Sequence, residues 1–297
     1  MRRSIPVLQV DAFSARPFGG NPAGVVLDAE GLSDIDMQRI AAEMKLPETA
    51  FVSRADGPGS GLRLRWFTPT GHEIAFCGHA TVATVHALSE TGRLREDRIV
   101  FDTVGGPLPV RVESDRGRVF IWLEPRLPIC SRYTGALPLV LGALGTATLG
   151  DWAPPALTSD GDLLLAIPGF APLRRLTPDP GALARVAVAD KLRGVCVVAL
   201  EGVDPGSRTH LRFFAPHLGI AEDPVTGSVH AALPVWLWQA GRLAGDSEAI
   251  RFTAEQGDVL GRPGRLTVEL YLDRQRPARV RVGGEAVTTI SGMLHLD

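Results

Sequence analysis

Residues 73–88, EIAFCGHATVATVHAL, set a cysteine, a glycine and a histidine side by side where a helical pattern begins. Taken singly, each has an ordinary structural use: a buried thiol packs as a small hydrophobe, a glycine turns the chain, a histidine caps or fills space. At the opening of a helix, Cys77, Gly78 and His79 together offer a thiol, a ring that titrates near neutrality and backbone N–H groups at the positive end of a dipole. That combination suits a small anionic ligand.

A second stretch supports a functional reading. LRWFTPTGHEIAFCGHATV, from Leu64, aligns without a gap on LRFFAPHLGIAEDPVTGSV, from Leu211, at an offset of 211 − 64 = 147. Leu, Arg, Phe, Pro and Val recur at 64/211, 65/212, 67/214, 69/216 and 82/229. Both copies run strand, Pro turn, small polar residues, helix, so the chain reads as internally duplicated. A duplication predicts two similar lobes whose equivalent helix starts, Gly78-His79-Ala80-Thr81 and Thr226-Gly227-Ser228, face one cleft and trap a carboxylate there. The ungapped register sets Pro224 against Cys77, and Cys130 and Cys196 lie in neither motif. Chemistry with two opposed thiols is therefore disfavoured, and Cys77 is left lining the site.

The elements that must position these residues are short. VLQVDAF reads as a first strand, followed by a Gly/Pro loop and a strand near Val25–Leu27; a helix capped by Ser33 ends before Pro47. ETAFVSRA and GLRLRWFTP make a hairpin around DGPGSG, a helix runs from Gly78 to Ser89, and strands follow near 98–103, 108–112 and 118–123. Pro125 to Thr134 is Pro-rich and irregular, which sets a lobe boundary there.

Composition excludes several classes. The 297 residues are 45% hydrophobic and 22% charged with a net charge of −2, as in an ordinary globular protein. Lysine occurs only at 45 and 191 and the arginines are dispersed, so no nucleic-acid partner is expected. Three distant cysteines make no disulfide framework and imply a reducing compartment. MRRSIPVLQVDAF reads as a strand rather than a signal peptide, and no window reaches the ~18 apolar residues of a membrane span, so a cytoplasmic location without membrane contact is expected.

The motifs GNPAGVVLD, PETAFV, FTPTGHEIAFCGHATVATVHAL and EDPVTGSVHAAL, in this order over about 200 residues, resemble the PhzF-like (phenazine-biosynthesis-like) family. The resemblance implies an α+β, diaminopimelate epimerase-like fold: two pseudo-symmetric lobes, each a β-barrel-like sheet wrapped around a central helix. On it, residues 1–127 form the first lobe, completed by a returning strand over 287–297, and 128–286 form the second. It places the acid/base glutamate on Glu48, its glycine and histidine on Gly78 and His79, and its aspartate on Asp223; Asn21, Cys77, Thr226, Gly227 and Ser228 join as substrate-binding positions. It implies a homodimer and no cofactor. A metal set of His72, Cys77, His79 and His86 is rejected, because His79 and His86 stand two helical turns apart.

On the residues alone, Glu48 is as easily a solvent-facing glutamate and Asp223 an N-cap. In the apolar cleft that the resemblance implies, lost hydration would raise the Glu48 carboxyl toward neutrality and let it take and return a proton. A neutral His79 would orient that proton, and Asp223 would grip a substrate ammonium or hydroxyl, or act as a second acid. The expected function is a biosynthetic, cofactor-independent isomerase that moves a proton on a small carboxylated amino- or hydroxy-metabolite. The alternatives are an epimerase or racemase pairing Cys77 with a carboxylate, and an inactive small-molecule binding protein of the same fold.

Overall fold

The computed structural model describes residues 3–55, 61–94, 96–115, 118–243 and 248–296; residues 56–60 of the expected hairpin tip lie outside them. The chain divides into two compact units, Met1–Glu124 with Gly283–Asp297, and Pro125–Val282.

Unit 1 contains β1 (Arg3–Ala12), β2 (Asn21–Val26), α1 (Asp34–Met44), β3 (Glu48–Arg54), β4 (Leu62–Phe67), β5 (Glu73–Ile74), α2 (Gly78–Glu90), β6 (Arg98–Asp102), β7 (Leu108–Asp115) and β8 (Arg118–Leu123). Unit 2 contains β9 (Cys130–Arg132), α3 (Leu137–Leu144), β10 (Ala156–Thr158), β11 (Asp162–Ile167), α4 (Phe170–Arg174), α5 (Pro180–Ala189), β12 (Gly194–Ala199), β13 (Ser207–Ala215), β14 (Ile220–Asp223), α6 (Gly227–Gln239), β15 (Ala249–Gln256), β16 (Gly264–Asp273) and β17 (Arg276–Gly284). The last strand, β18 (Ala286–Leu296), belongs to unit 1. The stretch expected to be irregular up to Thr134 contains β9, which pairs with β10. Among the described residues no helix is long and apolar enough to cross a membrane.

In unit 1 the sheet runs β18–β1–β2–β3–β4–β6–β7–β8, antiparallel except for β2/β3 and β4/β6. The helix α2 touches β1, β2, β3, β8 and β18, so strands from both ends of that order close on it. Its sequence explains this: Ala80, Val82, Ala83, Val85 and Ala87 leave no polar stripe, all are fully buried, and a helix apolar all round belongs inside. Thr81 and Thr84 are buried with them because their hydroxyls bond back to the carbonyls of Cys77 and Ala80. Outside the sheet, α1 is capped by a reciprocal Ser33/Asp36 box and packs Met37, Ile40 and Ala41 on Val26, Phe51 and Phe67.

Unit 2 repeats the plan with strands covered on both faces. Leu164, Ala166, Cys196 and Val198 face a core built on α6, while their neighbours Leu163, Leu165, Val195 and Val197 face a core shared with α3, α4 and α5. The apolar runs DLLLAI and GVCVVA are read this way: a parallel pair buried on both sides needs no alternation.

The repeat has a two-residue insertion. Arg65 holds Glu73 through Nε–Oε1 and Nη2–Oε2, each 2.7 Å, and lies 5.0 Å over Phe67. Arg212 holds Glu222 in the same fork, at 2.8 and 2.7 Å, and lies 5.0 Å over Phe214. The arginines and phenylalanines differ by 212 − 65 = 214 − 67 = 147, the glutamates by 222 − 73 = 149. A register irregularity between Phe213 and Ala215, where β13 meets β14, absorbs the extra residues. Beyond it the helix starts correspond at 149. The residue matching the Cys77 N-cap of α2 is thus Thr226, the N-cap of α6, and not Pro224 as the ungapped register gave.

Candidate active site

Three backbone segments of unit 1 bring Asn21, Glu48, Cys77 and His79 together. Asn21 opens β2 after Gly20, whose φ of +58° and whose hypothetical Cβ, 2.0 Å from the Ala12 carbonyl oxygen, admit only glycine. Glu48 opens β3, beside Ala23 in the parallel register. Cys77 is the N-cap of α2 and His79 the second residue of that helix. All four side chains are buried, Glu48 at 9% exposure and His79 at 6%.

His79 Nε2 lies 3.1 Å from Glu48 Oε2, an ion-pair contact off the line of a hydrogen bond, since Nε2 has no aligned acceptor. The Cys77 thiol is 3.6 Å from the same oxygen and 3.6 Å from His79 Nδ1. The Asn21 amide nitrogen is 3.3 Å from Nδ1. An imidazolium donates at both nitrogens, so a protonated His79 calls for the amide oxygen on that side, which exchanges the two amide atoms without moving the side chain.

The charge states differ from those the sequence suggested. Burial alone would raise the Glu48 carboxyl, but the charge and contact of His79, with the Cys77 thiol, outweigh it and hold Glu48 below its ordinary 4.5. Burial would lower His79, but the Glu48 carboxylate, with the Cys77 sulfur in contact, outweighs it and raises the ring well above 6.5. Cys77 is pushed up to about 11, first by burial and then by the Glu48 charge. At neutral pH the cluster is therefore a carboxylate, an imidazolium and a neutral thiol, with Glu48 as the anion that keeps the proton on His79. The raised Glu48 and the neutral His79 are both corrected, because a buried ring with a carboxylate at 3.1 Å keeps its proton.

Ligand atoms of Glu48, Cys77 and His79 lie within 4.8 Å of one another, as do those of His210, Glu255 and Asp258. In the second group Arg265 already holds Asp258, at 3.0 Å, and reaches Glu255 at 3.5 Å, so a cation occupies that place. In the first, the His79–Glu48 charge contact accounts for the clustering. The rejected set does not assemble: His72 is exposed, and His86 faces Glu90 at 3.8 Å.

In unit 2, Asp223 ends β14 half-buried and its Oδ2 accepts from the Thr226 hydroxyl at 2.6 Å. Thr226, not Asp223, is the N-cap of α6, and its side chain makes no capping bond. Gly227 and Ser228 are the first two residues of that helix. Sequence reasoning missed Gln256, fully buried at the end of β15. It accepts from the Thr226 N–H at 2.9 Å, donates to the Asp223 carbonyl at 2.8 Å and to Thr226 Oγ1 at 3.1 Å, and faces His230 Nε2 at 3.2 Å. One of the N–H groups expected to be free at this helix start is thus already spent on Gln256. No local motif marks a glutamine 30 residues from its partner.

Residues 10–292 match the family model of phenazine biosynthesis-like proteins, PhzC-PhzF. A Clostridium acetobutylicum protein described as an uncharacterized isomerase is 32% identical over the whole of both chains. A Bacillus anthracis phenazine biosynthesis protein of the PhzF family superposes with a TM-score of 0.90 at 28% identity, covering 98% of this chain and 99% of that one. A hydroxyproline epimerase from Agrobacterium vitis, at 15% identity and a TM-score of 0.59 over 99% of this chain and 92% of that one, shares the fold. A duplicated sheet-around-helix plan and a match over nearly the whole sequence meet in one assignment: the chain is an isomerase of the phenazine biosynthesis-like (PhzC-PhzF) family, with a diaminopimelate epimerase-like fold.

Proposed function

We propose that the protein moves a proton between carbons of a small carboxylated amino- or hydroxy-metabolite, with Glu48 as the shuttle. The observation that carries this reading is the buried Glu48–His79 ion pair at the start of α2. Glu48, already ionised, takes the proton from a C–H made acidic by an adjacent carboxyl or double bond, and the bonding electrons shift along the substrate. The same oxygen returns the proton to a second carbon, so no electrons are gained or lost overall. His79, protonated throughout, cannot serve as the base; its charge keeps Glu48 ionised and offsets the negative charge that develops on the substrate. The Thr226-Gly227-Ser228 helix start binds the substrate's carboxylate and Asp223 grips its amino or hydroxyl group.

A second reading, epimerisation, draws on the Cys77 thiol 3.6 Å from Glu48 Oε2 and on the fold shared with the hydroxyproline epimerase. Cys77, neutral at pH 7, would deliver a proton rather than remove one. A panel of small amino- and hydroxy-carboxylates, screened first by thermal shift and then in D₂O, separates the two. Deuterium at a new carbon supports isomerisation, and deuterium at the original stereocentre with inversion supports epimerisation. A panel that includes ligands stabilising the protein, yet shows no exchange in any of them, would overturn both.

A further inference from the structure

Unit 2 fills with other residues the place that Glu48 and His79 hold in unit 1. His79 is the second residue of α2, and Ser228 is the second residue of α6. Thr49 pairs with Phe67 in β3/β4 and Val195 with Phe214 in β12/β13, an offset of 195 − 49 = 146 along the first strand, which maps Glu48 onto Gly194. Gly194 has no room for a side chain, because a Cβ there would lie 2.2 Å from the Phe213 ring. The charge comes instead from its neighbour Arg193, whose Nη2 donates to Ser228 Oγ at 2.9 Å and also pairs with Asp162 Oδ2. Asp162 is only 1% exposed and stands beside Gly194 in the parallel register. Its Oδ1, like Arg193 Nε, is buried without a hydrogen-bond partner among the described residues.

A hydroxyl has one proton and two lone pairs. The guanidinium takes a lone pair of Ser228, so the proton is turned away from Arg193, and it finds no acceptor among the described residues. Without Arg193 the hydroxyl is free to rotate and its proton has no fixed direction. Asp162 in turn anchors Nη2, the one nitrogen that serves both acceptors, and a lysine ammonium ends one bond short of that position.

The geometry points to Asp162 and Arg193 as positioning residues that fix the Ser228 hydroxyl as a hydrogen-bond donor to the substrate's carboxylate. This rests on the reading of the α6 start as the carboxylate-binding element.

Acetate is the minimal probe, titrated at pH 7 while the backbone amide signals of Gly227 and Ser228 are followed by NMR. The wild-type protein shows saturable shifts there. Ser228→Ala weakens acetate about tenfold, the value of one hydrogen bond. Arg193→Lys, which keeps a cation beside Asp162, weakens it by a similar factor. So does the paired Asp162→Asn/Arg193→Gln, which removes both charges together and leaves none buried alone. Added to Ser228→Ala, Arg193→Lys causes no further loss, because it acts through the hydroxyl already removed. If the Arg193 variants bind like wild type while Ser228→Ala is weakened, or if the losses add, the positioning role falls and the α6 reading stands. If wild type shows no saturable shift, or Ser228→Ala binds acetate unchanged, the α6 reading falls and this inference with it.

Discussion

Alkylation of Cys77 gives a quantitative check on the charge states of the cluster. With the thiol pushed from 9.0 up to about 11, the thiolate fraction at pH 7 is about 10⁻⁴, against about 10⁻² for a thiol at 9.0. The hundredfold deficit corresponds to about 3 kcal/mol, contributed first by burial and second by the Glu48 carboxylate. Iodoacetamide labelling of the Cys77 peptide, read by mass spectrometry, should therefore be at least ~10²-fold slower than that of a small thiol at pH 7, and 5% exposure of the residue slows it further. The rate should climb about tenfold per pH unit up to pH 10, with folding checked by circular dichroism. Glu48→Gln removes the second cause and leaves the first, so it should recover only part of the deficit, on the order of tenfold. Labelling at pH 7 as fast as a free thiol, or a rate that levels off near pH 8, would refute the argument and make Cys77 a thiolate in the resting cluster.

The ion pair also makes a pH prediction. Glu48, held below 4.5, contributes stability that is present above 4.5 and lost as pH falls through its folded value; His79, raised above 6.5, contributes stability that is full below 6.5 and lost as pH rises through its folded value. The melting-temperature deficit of Glu48→Gln should thus be largest between pH 4.5 and 6.5 and shrink on either side, and a deficit that grows steadily to pH 9 would contradict the pairing. The Arg212–Glu222 fork, with side chains 6% and 12% exposed, should lose about 3–5 kcal/mol of stability on Arg212→Met, measured by urea unfolding, and much less when Glu222→Gln is added. A double variant as unstable as the single one would show that packing, not the unpaired charge, sets the cost.

How far the sequence reached depended on the range of the interaction. The helix at Gly78 and the cap at Ser33 were legible because they rest on residues within one turn of each other. The repeat was legible in Leu64/Leu211, Arg65/Arg212 and Phe67/Phe214, which share a strand, but the Glu73/Glu222 half of the staple was hidden by two inserted residues that only the β13–β14 irregularity reveals. Asn21, Glu48, Cys77 and His79 were named from motifs, and the structure brings all four within contact distance. Their charge states were misjudged because burial was visible in the apolar neighbours of Glu48, whereas a ring nitrogen 3.1 Å from its carboxylate was not. Gln256 and Arg193 escaped for the same reason: each acts on a residue 30 or more positions away, through a side chain in no motif.

The direct test of Glu48 as the proton shuttle is solvent exchange in the Glu48→Gln variant. The amide keeps the size and hydrogen-bonding shape of the carboxylate but cannot carry the proton. With the carboxylate selected from the panel, in D₂O, the wild-type enzyme should place deuterium at the carbon that receives the proton. Glu48→Gln should bind the same carboxylate while losing at least ~10²-fold in exchange and turnover. Exchange at the wild-type rate in Glu48→Gln would contradict the account, as would exchange abolished by Asp223→Asn with binding intact while Glu48→Gln still exchanges.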